Sequence, residues 1–304
     1  MKMLIPYVRA LKTLVFTRLG KIGWVILCVG LSASLTSCMP EPTNQSKGTI
    51  RVSIVPDQEP DIIRERVKNF MAYLEKETGY KFEVIVPTEY QQTLVMFLQK
   101  NVDMAWFGGY TFVKASQMGN AVPLISRAAD AEFKSVVIVR SDSPYTTLFD
   151  LKDKRFSFGS RLSTSAHLMP RAFFKRVQIE PESFFSQVEY SGAHDKTVEW
   201  VNNGKIDAGV LNPLVLQSMH LDGRIDPTKI RVIWRSPSYQ DYVWAVQPTM
   251  GEDLINKIRD AFLKLSYSNE KDKQLLNDMS AHHYVPVGNA DFSVLSQIID
   301  ELDM

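Results

Sequence analysis

The sequence predicts an α/β protein built on mostly parallel sheets, and three observations carry that expectation. From Thr49 onward, short runs rich in β-branched and aromatic residues alternate with amphipathic helical patterns, the rhythm of βαβ units. The composition, 45% hydrophobic and 23% charged over 304 residues, is that of an ordinary globular chain long enough for one large domain or two medium ones. Two extended runs, FKSVVIVRSDSPY (133–145) and YVWAVQPT (242–249), bracket a βα block, as a chain crossing to a second lobe and back requires. Patterning alone leaves one continuous doubly wound sheet equally open. No internal repeat and no low-complexity segment is evident.

The chain begins with a different composition. Residues 1–37 carry Lys2, Arg9, Lys12, Arg18 and Lys21 and no acidic residue, and IGWVILCVGLSASL (22–35) is an apolar run. A basic start, an apolar stretch of this length and small residues after it describe an export signal. A membrane-spanning helix wants roughly 20 continuous apolar residues, which this run lacks. Leu35-Thr36-Ser37-Cys38 resembles the lipobox of bacterial lipoproteins, which implies a diacylated Cys38 as the mature N-terminus. Two or three acyl chains anchor a protein stably without a spanning segment. Cys28, the other cysteine, lies within the signal, so no disulfide is expected in the mature chain despite an oxidising destination. Residues 38–48 are polar and contain proline, as a tether would. Losing the five basic residues of the signal takes Lys+Arg from 35 to 30 against 34 Asp+Glu, a net charge of −4. That balance argues against nucleic-acid binding, which needs a basic face.

The body then reads in order. TIRVSIVP (49–56) is a strand, and PDIIRERVKNFMAYLEKETG (60–79) puts Ile63, Val67, Phe70, Met71 and Leu74 on one helical face and stops at Gly79. KFEVIVP (81–87) is a strand, EYQQTLVMFLQK (89–100) a helix, and VDMAWFGG (102–109) a strand. RFSFG (155–159), SQVEYSG (186–192), IDAGVLN (206–212) and IRVIWRS (230–236) continue the strand series. The tail, over 251–266, 270–279 and 290–302, is helical.

In open α/β folds, ligands sit beyond the carboxyl ends of strands, where loops enter helices. Four loops of that kind stand out: PTEYQQ with Tyr90, AWFGGYT with Trp106, Gly108 and Gly109, SRLSTSAH with Ser163, Thr164 and Ser165, and YSGAHDKT with His194. A helix start has unpaired N–H groups and the positive end of the dipole, so an anion is favoured there. One hydroxyl suffices as N-cap, so two of the three in S-T-S are surplus, although local turns would also satisfy them. Pro170 removes a helical hydrogen bond unless the helix proper starts there, which predicts a short, irregular first turn. FGSRLST is not a G-x-S-x-G elbow, and no G-x-x-x-x-G-K-[ST] phosphate loop occurs. His282 and His283 have no carboxylate or cysteine at ligand spacing. No catalytic residue, metal or cofactor is predicted, and the chain is not expected to be an enzyme. Trp106 and Phe107 read as core or cleft wall.

After the lipobox, RVSIVPDQEP, VDMAWFGG, FGSRLSTSAHLMP, YSGAHDKTVEWV, DAGVLN and IRVIWRSPSYQDY resemble, in order and spacing, the phosphonate/phosphite/phosphate-binding proteins of ABC importers. The resemblance includes the subgroup often labelled selenate-binding and covers residues from about 49 to 300. It implies a two-lobed periplasmic binding protein, type II-like, each lobe a mixed, mostly parallel sheet flanked by helices, closing on its ligand by hinge motion. Lobe 1 is then expected over 49–137 and 243–304, and lobe 2 over 138–242. It also implies a ligand site of Ser163, Thr164, Ser165, His194, Asp241 and Tyr90, to which the loop reading adds Trp106 and Gly108. The implied partners are a small oxyanion, a permease and an ATPase, with the protein monomeric and held at the outer face of a membrane, in the periplasm or at the cell surface, through Cys38. A ligand-sensing receptor module is the alternative from another class. Where relatives that bind aminoalkyl phosphonates have a tyrosine, this sequence has Phe133, which points away from an amino-bearing tail. A carboxylate at Asp241 facing an oxyanion requires a proton between them, which favours protonated phosphorus oxyanions over sulfate or selenate.

Overall fold

The computed structural model describes residues 48–304. The export signal, Cys38 and the tether up to residue 47 lie outside the described residues. The chain first forms β1 (Thr49–Ile54), α1 (Pro60–Thr78), β2 (Lys81–Ile85), α2 (Tyr90–Leu98), β3 (Met104–Phe107), α3 (Gly109–Gly119) and β4 (Val122–Arg127). It then builds β5 (Val136–Arg140), β6 (Arg155–Phe158), α4 (Met169–Arg176), α5 (Pro181–Phe184), β7 (Gln187–Tyr190), α6 (His194–Asn202), β8 (Ala208–Leu211), α7 (Pro213–Leu221) and β9 (Ile230–Arg235). It returns through β10 (Val243–Val246), α8 (Glu252–Leu263), α9 (Glu270–Asp278), β11 (Tyr284–Val285) and α10 (Ser293–Glu301).

The strands form two sheets, ordered β11-β4-β10-β3-β1-β2 and β7-β6-β8-β5-β9. The single continuous sheet is therefore excluded. Within each sheet the strands that follow βαβ crossovers are parallel, and the entering strand β5 and the returning strand β10 run against their neighbours. Both sheets are thus mixed. The chain leaves the first sheet after Arg127 and enters the second at Val136, where Val136 and Val137 already pair with Leu211 and Val210. The expected boundary at 137/138 falls inside β5, because an uninterrupted apolar run has no local mark of where a lobe begins.

Burial explains the composition of the strands. In β5, Val137 and Val139 face one apolar cluster of the second lobe and Val136 and Ile138 the other, so VVIV is buried on both faces. On α1, the predicted stripe Ile63, Val67, Phe70, Met71 and Leu74 is buried, and Gly79 closes the helix with φ 77°, a left-handed cap suited to glycine. β4 is the strand the sequence pattern does not announce. Its Pro123 lies beyond the short pairing with β11, which involves only Ser126 and Arg127, so the ladder loses little there.

A repeat also emerges. Arg51 at the start of β1 binds Asp103 through its backbone N–H at 2.8 Å and side-chain Nε at 3.0 Å, and its Nη2 reaches Lys100 O. Arg155 at the start of β6 binds Asp207 through its N–H at 2.9 Å and Nε at 3.0 Å, and its Nη2 reaches Gly204 O. Both pairs are 52 residues apart. The lobes are therefore two versions of one β-α-β-α-β unit, contrary to the expectation of no internal repeat. The sequence trace is only R-x-S followed by a distant aspartate, too sparse to read without the sheets.

Two strand-like segments join the lobes. Phe133 and Tyr239 exchange backbone hydrogen bonds of 2.9 and 3.0 Å, Ser236 N–H donates to Ser135 O at 3.0 Å, and Asp241 N–H donates to Asp130 O at 2.9 Å. Side chains tighten this hinge: Ser135 Oγ lies 2.7 Å from Tyr239 Oη.

Candidate functional site

Four helix starts converge between the lobes, and each follows a strand of its own sheet. α2 begins at Tyr90, α3 at Gly109, the turn before α4 at Thr164 and α6 at His194. This is the arrangement in which backbone N–H groups and helix dipoles favour an anion. Tyr90 and His194 occupy matching first helical positions in the two lobes, and Tyr90 Oη lies 3.5 Å from His194 Nε2.

The S-T-S cluster divides its tasks. Thr164–Leu168 form one π-type turn, with Leu168 N–H bonded to Ser163 O at 3.0 Å, and α4 starts with Pro170 in its first turn. That is the short, irregular turn the proline predicts. Ser163 is the N-cap, its Oγ accepting Ala166 N–H at 3.1 Å. Thr164 Oγ1 crosses the cleft and accepts Tyr110 N–H at 3.0 Å. Ser165 Oγ is buried and meets no protein hydrogen-bond partner.

Opposite them stands Asp241, 1% exposed. Its Oδ1 accepts Gly109 N–H at 2.9 Å, while Oδ2 is buried without a protein partner. Burial pushes this carboxyl up to about 7, against the lowering pull of Gly109 N–H and the Thr164 hydroxyl. Gly108 makes the close approach possible: a Cβ there would come 3.2 Å from Thr164 Oγ1 and 3.5 Å from Asp241 Oδ1.

His194 is a neutral donor. Asn212 N–H donates to Nδ1 at 3.3 Å, which places the proton on Nε2, and Nε2 faces Tyr90 Oη and, at 3.4 Å, Tyr242 Oη. Burial lowers its pKa to about 3. The expected result is an imidazole that keeps the Nε2–H tautomer from pH 5 to 8. Nitrogen-15 NMR of the histidine rings tests this, and a His194 titration in that window would contradict it.

Tyr242, Asp57 and Asn212 complete the polar lining. Tyr242 Oη donates to Asp57 Oδ2 at 3.3 Å and accepts from Asn212 Nδ2 at 3.2 Å. Burial raises the Asp57 carboxyl and holds both Tyr90 and Tyr242 well above the usual phenol range, so both are O–H donors. Sequence reasoning did not select these three. Asn212 directly follows β8 and Asp57 lies shortly past β1, as Gly108 and Tyr90 follow β3 and β2, and Tyr242 adjoins Asp241, but local patterning has no means to rank them. Trp106 packs in the wall: its ring stacks on Trp244 at 5.7 Å and meets Tyr242 at 5.2 Å. Arg127 sits behind the same wall, its guanidinium 5.2 Å from the Trp106 ring and 5.1 Å from that of Tyr242. Phe133 is edge-on to Tyr242 at 5.6 Å.

His167, although inside the quoted motif, is bound away from this group. Its Nδ1 bonds Arg161 O at 2.7 Å and its Nε2 accepts from Arg171 Nε at 2.8 Å. His282 stacks on Tyr267 at 4.2 Å. Among the described residues no group of His, Cys, Asp and Glu is placed to hold a metal ion. No helix among them is long and apolar enough to cross a membrane.

Two mixed α/β lobes, a paired hinge and a buried polar cleft ringed by helix starts define a solute-binding protein of the periplasmic type. The chain belongs to the family described as ABC transporter, phosphonate, periplasmic substrate-binding protein, which it matches over residues 52–292. It is 29% identical over 279 residues, 88% of this chain and 94% of the relative, to a Prochlorococcus marinus protein named "Probable ABC transporter phosphite binding protein PhnD1". It is 25% identical over 305 residues, 92% and 95% of the two chains, to the phosphate-import protein PhnD of Mycolicibacterium smegmatis. The solved structure of Prochlorococcus marinus PhnD1 in complex with methylphosphonate superposes with a TM-score of 0.79 at 28% identity, covering 84% of this chain and 98% of that one. The protein is accordingly an exported substrate-binding component of an ABC transporter and not an enzyme.

Proposed function

We propose that the protein binds a small phosphorus oxyanion carrying one proton, a phosphonate, phosphite or phosphate, between its lobes. Ser163, Thr164, Ser165, His194 and Tyr90 supply the donors, with Gly108 admitting close approach and Trp106 backing the wall. The bound anion is handed to a permease driven by an ATPase. The protein acts as a monomer tethered at the outer face of the membrane by a lipidated Cys38.

One observation carries this reading: Asp241 Oδ2 is buried in the cleft without a protein partner. The cleft groups are hydroxyls, N–H groups, a neutral imidazole and the raised Asp57 carboxyl, with the Arg127 guanidinium behind the Trp106 and Tyr242 rings. Where Asp241 is ionised, a fully deprotonated dianion would meet an acceptor with no hydrogen between them, whereas a protonated phosphorus oxyanion shares one. The names of the relatives, for phosphite, phosphate and a methylphosphonate complex, agree with that chemistry. Calorimetric titration at pH 8, above the value of about 7 at which burial holds Asp241, with methylphosphonate, phosphite, phosphate, sulfate and selenate tests it. Binding is expected for at least one phosphorus oxyanion and not for sulfate or selenate. Tight selenate or sulfate binding with no phosphorus ligand would overturn the proposal.

A further inference from the structure

Helix α1 starts without a capping side chain of its own: Glu59, at its N-cap, makes no side-chain capping bond. The cap comes from the other lobe. Asp195, buried at the first turn of α6, accepts Glu59 N–H with Oδ2 at 2.8 Å, while its Oδ1 accepts its neighbour Lys196 N–H at 2.8 Å. Three further contacts surround that bond. His194 N–H donates to Asp57 O at 2.9 Å, Arg224 Nη2 donates to Gln58 Oε1 at 2.8 Å, and Lys196 Nζ faces Glu59 Oε1 at 3.3 Å. Residues 57–59 of the first lobe are thus tied to the second by four contacts. None of the four uses Asp241 Oδ2, Ser165 Oγ or His194 Nε2. α3 is treated in the same way, since Gly108 offers no side-chain cap and Thr164 of the second lobe takes Tyr110 N–H.

A carboxylate at a helix start satisfies an orphan donor and complements the dipole. Glu59 and Asp195 lie on opposite sides of the hinge, so opening it separates them. We infer that Asp195 is a positioning residue for ligand retention: its cap on α1 exists in the closed arrangement, adds its free energy to that state alone and slows release. This rests on the reading of the cleft as an oxyanion site.

The probe is methylphosphonate, followed by stopped-flow tryptophan fluorescence on the wild-type chain, Asp195→Ala, Asp195→Asn and Arg224→Ala. A lost hydrogen bond to a charged group predicts release about 10-fold faster or more in D195A, with the association rate within about 2-fold of wild type. D195N, which keeps one carbonyl acceptor for Glu59 N–H, falls between wild type and D195A. R224A removes a contact at the rim and raises release about 3-fold. Small-angle scattering of the ligand-free chains is expected to give a larger radius of gyration for D195A than for wild type. Wild-type release rates and an unchanged radius in D195A overturn the inference. If D195A does not fold, a wild-type release rate in D195N does so instead. If the wild-type chain binds none of methylphosphonate, phosphite and phosphate, the oxyanion reading fails instead, and the ligand-free scattering still decides whether Asp195 holds the lobes together.

Discussion

Replacing Asp241 by asparagine is expected to admit sulfate, raising its affinity by about 100-fold or more. The geometry sets the sign. Asp241 Oδ1 is committed to Gly109 N–H, and Oδ2 is the oxygen without a protein partner. Asparagine keeps the carbonyl on Gly109 and turns an N–H₂ group, a donor, toward the place where the carboxylate presents a lone pair. A repulsive contact against a dianion becomes an attractive one, and juxtapositions of that kind are worth several kcal/mol, about two or three decades of affinity. The pH profile is expected to change with it. In the wild type, one proton must lie between Asp241 and the anion, and burial holds this carboxyl at about 7. Methylphosphonate affinity therefore falls as pH rises above 7, where that proton is lost from the pair. In D241N the fall is shallower, because the amide donor needs no proton. Isothermal titration from pH 6 to 8.5 measures both effects. A D241N variant that still rejects sulfate and keeps the wild-type slope would show that Asp241 is not the discriminating group.

The second large effect is on stability. Arg127→Ala is expected to lose about 3–5 kcal/mol of unfolding free energy, because it strands a buried carboxylate. Arg127 and Asp130 form a two-point pair, Nε to Oδ2 at 2.9 Å and Nη2 to Oδ1 at 2.6 Å, with side chains 4% and 0% exposed. The guanidinium also lies against the Trp106 and Tyr242 rings and donates to Met279 O at 3.3 Å. Its loss removes packing as well as charge. Urea unfolding measures the change as a lower midpoint at an unchanged slope. Arg127→Met combined with Asp130→Asn is expected to recover much of the loss, since the amide oxygen still accepts the backbone N–H of residue 127 and no charge stays buried. Equal midpoints for R127A and wild type would show that the pair contributes nothing. The consequence reaches the site, because Asp130 O receives Asp241 N–H at 2.9 Å.

Much of this protein is legible in its sequence, and the reason is local. The stripe Ile63 to Leu74 predicts α1, and Pro170 predicts a broken first turn, because both rules act within a few residues. Tyr90, Gly108, the S-T-S cluster and His194 could be singled out for the same reason: each lies where a strand runs into a helix. Which hydroxyl would cap was not legible. Ser163 takes that role, Thr164 clasps the opposite lobe and Ser165 Oγ stays without a protein partner, a division set by what faces each residue across the cleft.

The sequence by itself determined the α/β alternation of most elements and the helix mouths where an anion is favoured. Only the tertiary structure decided that the strands form two related sheets, that the first crossing ends at Val136, and that Asp57 meets Tyr242 across 185 residues. Periodicity and capping are governed by neighbours along the chain. Partner choice across the hinge depends on a chain that leaves one sheet and returns, so Asp195 capping a helix 136 residues upstream has no local signature.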